Sequence, residues 1–335
     1  MPASPRVSVI VPNYNYARYL EKRLQSIFDQ TFQDFELLYL DDASTDDSEA
    51  VFARFAHYPH VRAFRNQTNG GNVFKQWNKG VREAGCEYIW LAEADDLAAP
   101  RLLEVLVAKL DSDPKIGLAY CGSHVMDENG NVIERAEDWL DHLDPVRWKA
   151  DFRNDGRDEC AQFLVDRNTI FNASAVVFRR DVYEKIGLAE ESLKLSGDWI
   201  TWARMLFQSD IAYCAEPLNY FRRHAATVRS SVDRSALRVL ERYLVVEEIL
   251  NSVDVSPAMR ERVCNVLVEE WTVAVLPQKN ASQRRYNRAI YRVARRIDPR
   301  LTARLARRLK EFATERVSTR LARLPLGRKG DARPA

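Results

Sequence analysis

The chain has 335 residues, of which 46% are hydrophobic and 29% charged, a balance typical of a globular protein and not of a disordered or fibrous one. Its length predicts about two domains. The first apolar run, at 7–11, is too short for a secretory signal or a membrane span and is followed by Pro12, so we expect a cytoplasmic protein.

The net charge of +2 is the sum of two oppositely charged parts of the chain. Residues 279–329 contain 17 Lys or Arg and three acidic residues, a net charge of +14, and the charges of residues 330–335 cancel. Residues 1–278 therefore carry −12, which is +2 minus +14. An acidic body followed by a basic segment predicts two kinds of partner.

Short apolar runs alternate with amphipathic segments in the N-terminal part of the chain. Runs of branched and aromatic residues predict buried strands at 7–11, 36–40 and 88–92. Apolar residues at helical spacing predict helices at 16–30, 44–57 and 71–84. This alternation is typical of an α/β fold with a mostly parallel sheet covered by helices. In such a sheet, ligands bind beyond the carboxyl ends of the strands.

The pattern changes further along the chain. A strand is predicted at 174–178 and a helix at 199–207, and the sequence is almost entirely helical after Asp233. We therefore predict an α/β domain at 1–228 and a helical, basic region at 229–335.

Polar residues follow each of the three predicted N-terminal strands. They are Asn13 and Tyr14, then Asp41 and Asp42, and then Glu93, Ala94, Asp95 and Asp96, which we name the acidic turn. We expect these groups to meet at one edge of the sheet. Part of the pattern also suits helix starts, because Ser and Asp are common capping residues.

The acidic turn has three carboxylates within four residues. Like charges repel and a desolvated anion needs a partner, so the cluster indicates a bound cation. Oxygen ligands suit Mg²⁺ or Mn²⁺, which commonly bind one or two carboxylates together with substrate phosphates. Such a metal would neutralise charge on a nucleotide leaving group. By its spacing alone, the turn is equally consistent with a solvated acidic loop.

The sequence around these residues resembles the family 2 glycosyltransferases. The resemblance lies in VSVIVPNYNYARYLEKRLQSIFDQTFQDFELLYLDDASTDDS, GNVFKQWNKGVREAGCEYIWLAEADDLAAPRLLE, NASAVVFRRDVYEKIG, GDWITWARML and YFRRH, within residues 6–228. It implies the GT-A fold, a Rossmann-like nucleotide-binding sheet continuous with an acceptor-binding half. It also implies inverting transfer of a sugar, with Mn²⁺ or Mg²⁺ as cofactor, from a nucleotide sugar, with UDP-sugars the first candidates. The implied acceptor is a saccharide or lipid-linked, in surface polysaccharide synthesis.

The resemblance assigns donor-side roles to four residues. It places Pro12, Tyr14 and Asp42 around the nucleoside, with Asp42 as the partner of the base. An ionised carboxylate only accepts hydrogen bonds, so a ring N–H of the base is a suitable donor. Lys75 falls in the stretch that faces the diphosphate.

The resemblance also divides the acidic turn. Glu93 and Asp95 are predicted to contact the donor, and Asp95 and Asp96 to bind the metal. Glu93 stands where the family usually has Asp, which keeps the charge and lengthens the side chain. His224 is a further candidate metal ligand, because a neutral imidazole can bind a metal, although a lone His beside two arginines is often an ordinary loop residue. Those arginines could instead hold phosphate oxygens.

The resemblance places the general base at Asp198, where the family often has Glu-Asp and this chain has Gly197 before the acid. A single carboxylate can accept the proton of the acceptor hydroxyl. The alternative is that Asp198 only caps a helix. Asn172, Ser174 and Trp199 are predicted to bind the acceptor, with the indole as a platform for a sugar ring or else as part of the core.

The basic C-terminal segment has one apolar helical face, formed by Leu301, Leu305, Leu309 and Phe312. A basic amphipathic helix of this kind can lie on an anionic membrane, which would place the protein at the inner face of the cell membrane and suit a lipid-linked acceptor. Equally, the leucine face could pack on protein. Nucleic acid is not expected as a partner, because the rest of the chain is acidic and no recognition motif is present.

Two other functional classes are alternatives to a transferase. A catalytically inactive sugar-nucleotide-binding or scaffold protein is conceivable, because Glu93 departs from the family pattern and only one acid is present at 197–198. A dinucleotide-dependent oxidoreductase also has an α/β fold, but no GxGxxG follows the first strand. The sequence therefore favours a glycosyltransferase.

Overall fold

The computed structural model describes residues 5–223, 234–275 and 281–322. In these residues ten strands form one sheet. The strands are β1 (Val7–Asn13), β2 (Phe35–Asp41), β3 (Val61–Arg65), β4 (Tyr88–Leu91), β5 (Leu97–Ala98), β6 (Ile116–Met126), β7 (Val132–Arg135), β8 (Phe152–Asn154), β9 (Val176–Arg179) and β10 (Asp210–Arg222). Their order is β3-β2-β1-β4-β9-β6-β10-β5, with β7 beside β6 and β8 beside β10.

The first half of the sheet, β3-β2-β1-β4, is parallel, as predicted. Parallel strands need crossover connections, and three helices provide them: α1 (Ala17–Phe28), α2 (Ser48–Ala53) and α3 (Val73–Glu83). The register sets Asn13 opposite Asp41 and Ile10 opposite Leu91. The carboxyl ends of β1, β2 and β4 therefore lie at one edge.

The second half of the sheet is mixed. β9 is antiparallel to both β4 and β6, whereas β6 and β10 pair in parallel with irregularities around Pro217. Neither β6 nor β10 was predicted from the sequence. Their importance for the site is that β10 ends at Arg222, whose backbone N–H donates to the Asp96 carboxylate at 2.9 Å.

Helices cover both faces of the sheet and bury two apolar layers. On one face α1 contributes Leu20, Leu24 and Ile27, which its helical spacing places on one side. On the other face α3 contributes Trp77, whose ring stacks on that of Trp202 with centroids 5.9 Å apart. The other helices of this part are α4 (Leu102–Ser112), α5 (Gly156–Glu159), α6 (Arg180–Lys185) and α7 (Gly197–Leu206).

The helical region is formed by α8 (Arg234–Ser252), α9 (Pro257–Ala274), α10 (Ala281–Ile297) and α11 (Leu301–Ala322). The helix α9 begins where the sequence favours it, because Ser256 accepts a hydrogen bond from Met259 N–H and Pro257 occupies the first turn. Tyr243 and Trp271 belong to the same apolar cluster as the α3 face of the sheet. None of the helices in the described part of the chain is both long and apolar enough to cross a membrane.

Candidate active site

The loops after β1 and β2 are joined by hydrogen bonds. Asn13 Nδ2 donates to Asp41 Oδ2 at 3.1 Å and to Ser44 Oγ at 3.0 Å, and Thr45 N–H donates to Asn15 Oδ1 at 2.7 Å. Both loops use left-handed backbone, with φ of 57° at Asn15 and 64° in the second loop. Ligand-binding sites often hold such conformations. The two loops therefore form one rigid rim at the carboxyl edge of the sheet.

Asp42 lies in this rim and is 5% exposed. Its Oδ1 accepts from Asn66 Nδ2 at 2.6 Å, from Gln76 Nε2 at 2.7 Å and from Gly70 N–H at 3.0 Å. Among the residues that the structure describes, its Oδ2 accepts only from that same Gly70 N–H, also at 3.0 Å. The loop before α3 and the first turn of α3, which contains Lys75, are thereby fastened to Asp42, and Oδ2 retains capacity to accept.

The other predicted donor-side residues surround this rim. Pro12 is buried within β1, where it pairs with Leu40, and Tyr14 is 44% exposed directly after the strand. The exposed Lys75 lies in the first turn of α3, with its Nζ 3.4 Å from the Gly70 carbonyl. The structure brings all of them to the edge where β1 and β2 end.

Asp96 is the buried anchor of the acidic turn, at 2% exposure. Its Oδ2 accepts from Ser174 Oγ at 2.7 Å and Asn172 Nδ2 at 2.8 Å, and its Oδ1 accepts from the Arg222 backbone N–H. Burial and the charge of Asp95 raise the pKa of Asp96 to about 6. Three donors thus hold a carboxylate that was predicted to bind metal, and most of its acceptor capacity is used inside the protein.

Glu93 is held at both its backbone and its side chain. Its N–H donates to Ser174 Oγ at 3.1 Å, and its Oε1 accepts from Trp77 Nε1 at 2.7 Å. Burial and the charge of Asp95 raise the pKa of Glu93 to about 8. The longer arm of this residue reaches the indole of α3, so the departure from Asp has a structural use.

A buried arginine that the sequence analysis missed interacts with the acidic turn. Arg23 of α1 is fully buried, and its three guanidinium nitrogens have no hydrogen-bond partner among the described residues. Its guanidinium lies 4.8 Å from the ring of Trp90 in β4. Burial lowers the pKa of Arg23 to about 10, although the three acids of the turn favour its charged form. The sequence could have indicated this burial, because helical spacing places position 23 on the apolar face formed by Leu20, Leu24 and Ile27.

Asp198 lies in the first turn of α7, and Ser196 occupies the capping position. The helix-cap alternative is therefore not what the structure shows. Asp198 is partly buried, and its Oδ2 accepts from Asn168 Nδ2 at 3.2 Å. A Cβ at Gly197 would come within 2.4 Å of the Phe74 ring, which explains why no second acid stands before Asp198.

The model of the family described as glycosyl transferase family 2 matches residues 8–187, which are 180 of the 335 residues. The chain belongs to this family. It is therefore a glycosyltransferase, as the resemblance predicted, and its mixed sheet has the GT-A fold.

Similar proteins agree with this family assignment. An uncharacterized glycosyltransferase of Rickettsia typhi, RT0329, is 27% identical over 242 residues, 72% of this chain and 70% of the relative. S. aureus TarS 1-349, solved in complex with UDP-GlcNAc, has a TM-score of 0.69 at 17% identity over 90% of this chain and 84% of that one. The mannosyltransferase PcManGT from Pyrobaculum calidifontis, solved with GDP-Man and Mn²⁺, has a TM-score of 0.57 at 18% identity over 91% and 86%. At these identities the two structures show the fold.

The three residues predicted to bind the acceptor have other contacts in this glycosyltransferase. Ser174 is fully buried and Asn172 is 8% exposed, and both donate to Asp96. Trp199 is 6% exposed and its Nε1 donates to Leu164 O at 3.0 Å. Two of these residues thus support the acidic turn, and the third packs in the core. Their predicted roles in acceptor binding stay predictions.

The arginines before His224 also have structural partners. Arg222 is 3% exposed and its Nε donates to Asp95 O at 2.7 Å, while Arg223 forms an ion pair with Glu134 at 3.0 Å. The suggestion that Arg222 holds phosphate is corrected by these contacts, because it fastens the acidic turn to β10. His224 itself lies outside the described residues, so its predicted metal role stays a prediction.

The fit of a divalent cation can be judged from the ligands available. Among the residues that the structure describes, no group of three or more His, Cys, Asp and Glu side chains could by itself hold a metal ion. Asp96 is engaged by three donors and Glu93 Oε1 by one. The pKa of Glu93 is raised, first because burial disfavours the ionised side chain and second by the charge of Asp95, so a cation nearby would favour the ionised form. The turn fits a cation that takes one or two protein ligands and its remaining ligands from a diphosphate.

The basic helix α11 packs on protein along its described apolar face. Leu301 is 2% exposed and Leu305 is packed against the same core, whereas Leu309 is 45% exposed. Arg304 is buried and forms two hydrogen bonds, at 2.6 and 2.9 Å, with Glu261 of α9. Of the two alternatives, packing on protein is the one seen over 301–305. The side chain of Phe312, which completes the predicted face, lies outside the described residues.

Proposed function

We propose that this glycosyltransferase moves a sugar, with inversion and with a divalent metal, from a nucleotide-sugar donor to a saccharide or lipid-linked acceptor. The observation that carries the proposal is the acidic turn, which hydrogen bonds from Ser174, Asn172 and Arg222 to Asp96 hold at the carboxyl edge of the parallel strands. The donor-side rim of Asp42 lies beside it in the same sheet. A donor bound across the two would place its diphosphate next to the acids.

The rim offers acceptors for a nucleoside. Asp42 Oδ2 retains capacity for a ring N–H. Among the described residues, the buried oxygens Asn13 Oδ1 and Gln76 Oε1 have no hydrogen-bond donor. Buried acceptors of this kind are costly unless a ligand or water satisfies them, and the N–H and hydroxyl groups of a nucleoside would do so. TarS was solved with UDP-GlcNAc, which supports a UDP-sugar as the donor.

The metal site is proposed at Asp95, with Glu93 Oε2 as a second oxygen. Asp96 then acts mainly as the anchor of the turn, because its hydrogen bonds to Ser174, Asn172 and Arg222 occupy it. When bound, Mn²⁺ or Mg²⁺ would supply positive charge to the diphosphate leaving group. PcManGT was solved with Mn²⁺, which supports this choice of ion.

Asp198 is proposed as the general base. It lies in the first turn of α7, whose first residue, Gly197, packs close to the Phe74 ring of α3. The same helix α3 donates through Trp77 to Glu93. Helix α3 thus supports both the start of α7, which carries the base, and the acidic turn. In this role the carboxylate accepts the proton of the acceptor hydroxyl as its oxygen attacks the anomeric carbon.

The acceptor and the cellular role are proposed more broadly. The resemblance to the family 2 glycosyltransferases implies a role in surface polysaccharide synthesis, with a saccharide or a lipid-linked acceptor. The C-terminal segment, with 17 Lys or Arg and three acidic residues over 279–329, would attract anionic lipid headgroups. Cosedimentation of the full chain with phosphatidylglycerol vesicles at two salt concentrations tests the membrane part, and the absence of salt-sensitive binding would contradict it.

Donor turnover by variants tests the proposal. Wild type, Asp95→Ala and Asp198→Asn are incubated with Mn²⁺ and a panel of UDP-sugars and GDP-mannose, and nucleoside diphosphate release is measured. We expect turnover of at least one donor by the wild type, its loss on chelation, and a fall of about a hundredfold or more in each variant. The exposed Glu83→Gln in α3 serves as the matched control and should keep the wild-type rate.

Nucleotide binding separates the alternatives. A wild type that is stabilised by UDP but turns over no donor would indicate an inactive binding protein. Full activity in Asp198→Asn would remove the base assignment, and metal-independent turnover would remove the metal.

A further inference from the structure

The loop that leads into α7 is held on one side by α3. Asn78 Oδ1 accepts from Ala189 N–H at 2.9 Å, and its Nδ2 donates to Ala189 O at 3.0 Å. Asn72 Nδ2 donates to Glu191 O at 2.7 Å. The helix that supports the acidic turn therefore also fixes the start of this loop.

On the other side, the end of the loop is held by one buried carboxylate of the helical region. Glu241 of α8 is 1% exposed. Its Oε1 accepts from Lys194 N–H and its Oε2 from Leu195 N–H and Ser196 N–H, all at 2.8 Å. Burying an anion is costly, and three backbone N–H groups offset that cost in a single geometry. Every backbone N–H of 194–196 is thus directed at one side chain.

The contact between α8 and α7 continues along both helices. Arg204, in the last turn of α7, forms a two-point ion pair with Glu248 of α8, at 2.5 and 2.9 Å. Glu241 and Glu248 are two helical turns apart, so α8 runs beside α7 from its first residue to its last turn. The position of α7 therefore depends on a helix beyond the predicted domain boundary at 228.

We propose that Glu241 is a positioning residue for Asp198 and that α8 belongs to the catalytic unit. The inference rests on the proposed function, in which Asp198 is the base. Glu241 fixes the backbone up to Ser196, and Gly197 lies so close to the Phe74 ring that a Cβ there would come within 2.4 Å of it. The first turn of α7 then has one orientation, and so does the carboxylate of Asp198. Proton transfer needs hydrogen-bond reach, and a misplacement of about 1 Å can cost about a hundredfold in rate.

The test compares Glu241→Gln and Glu241→Ala with the wild type. Glutamine replaces one acceptor oxygen by an N–H donor that faces a backbone N–H, and alanine removes both acceptor oxygens and with them all three hydrogen bonds. We expect kcat for nucleoside diphosphate release from the best donor of the panel to fall at least about tenfold in Glu241→Gln, and further in Glu241→Ala. The affinity for UDP should stay within about twofold, because the donor rim is not touched. Glu247→Gln, on the same helix but paired with Arg296 of α10, should leave both unchanged.

Two further measurements separate positioning from a general loss of structure. Hydrogen exchange at the amides of 194–196 should quicken at least about tenfold in Glu241→Gln and not in the Glu247 control. In an Asp198→Asn background, Glu241→Gln should lower the residual rate no further, because both changes act through one group. Equal losses in both backgrounds, or a parallel fall in UDP affinity, would overturn the inference.

The failures of the two proposals can be told apart. If Asp198→Asn keeps full turnover, the base assignment fails and the inference fails with it. If Asp198→Asn is inactive while Glu241→Gln keeps the wild-type rate, only the role of Glu241 is overturned. If no donor is turned over, the proposed function fails by its own test, and unchanged exchange at 194–196 would overturn the Glu241 contact as well.

Discussion

Replacing Glu93 by glutamine should make the protein more stable at neutral and alkaline pH when no divalent metal is present. The pKa of Glu93 is raised from 4.5 to about 8 by burial and by the charge of Asp95. The folded state therefore binds a proton that the unfolded state releases between these values. The stability of the wild type falls as pH rises through this window and levels off above it, because ionisation is disfavoured in the fold. Glutamine cannot ionise and keeps an oxygen for the Trp77 indole.

The size of the effect follows from the shift. At 1.36 kcal/mol for each pKa unit, the rise from 4.5 to about 8 corresponds to an upper bound of roughly 5 kcal/mol. The side chain is only partly buried, so water reduces the penalty, and we expect about 2 kcal/mol or more above about pH 8. The free energies of unfolding of the wild type and of Glu93→Gln should become similar near the acid end of the window, where both side chains are neutral.

Urea unfolding in EDTA at several pH values from about 5 to about 8 measures this difference. The chelator is needed because a bound cation would favour the ionised side chain. Glu83→Gln, at an exposed position of α3, controls for the loss of one negative charge. The reasoning would be refuted if Glu93→Gln showed the pH dependence of the wild type, or if it were less stable at the alkaline end.

Three other substitutions test the surroundings of the site and the helical region. Ser174→Ala removes one of three donors to the buried Asp96 and should lower the free energy of unfolding by about 1–3 kcal/mol in urea titrations; no loss would mean that the hydrogen bond contributes nothing. Ala43→Gly should raise the melting temperature, gaining up to about 1 kcal/mol, because φ at this position is 64°, and a decrease would contradict the strain. Arg304→Met removes the ion-pair partner of the buried Asp298 and should lower the free energy of unfolding by about 3 kcal/mol. Arg307→Met, at an exposed position, should lower it by under about 0.5 kcal/mol, and similar losses in the two variants would contradict the role of burial.

The parallel half of the sheet could be predicted because its signals are local. The strands at 7–11, 36–40 and 88–92 and the helices at 16–30 and 71–84 are seen with small changes at their ends. The helix predicted at 44–57 is shorter, at Ser48–Ala53, and β3 was not predicted. Each strand is buried on both faces, so it is read as a continuous apolar run, and each helix has a one-sided apolar pattern. The order of these elements along the chain then placed Asp42 and the acidic turn at one edge.

The sequence by itself determined the α/β class, the polar groups at the strand ends and the helical C-terminal region, since each depends on residues close together in the chain. Only the tertiary structure decided which of those groups are engaged inside the protein. Asp96 is held by Asn172 and Ser174, and Glu241 holds the loop before Asp198. These contacts join residues 45 or more positions apart, so local periodicity in the sequence cannot predict them. Burial by distant segments also turned Trp199 into core and raised the pKa of Glu93, because desolvation is a property of the packed molecule.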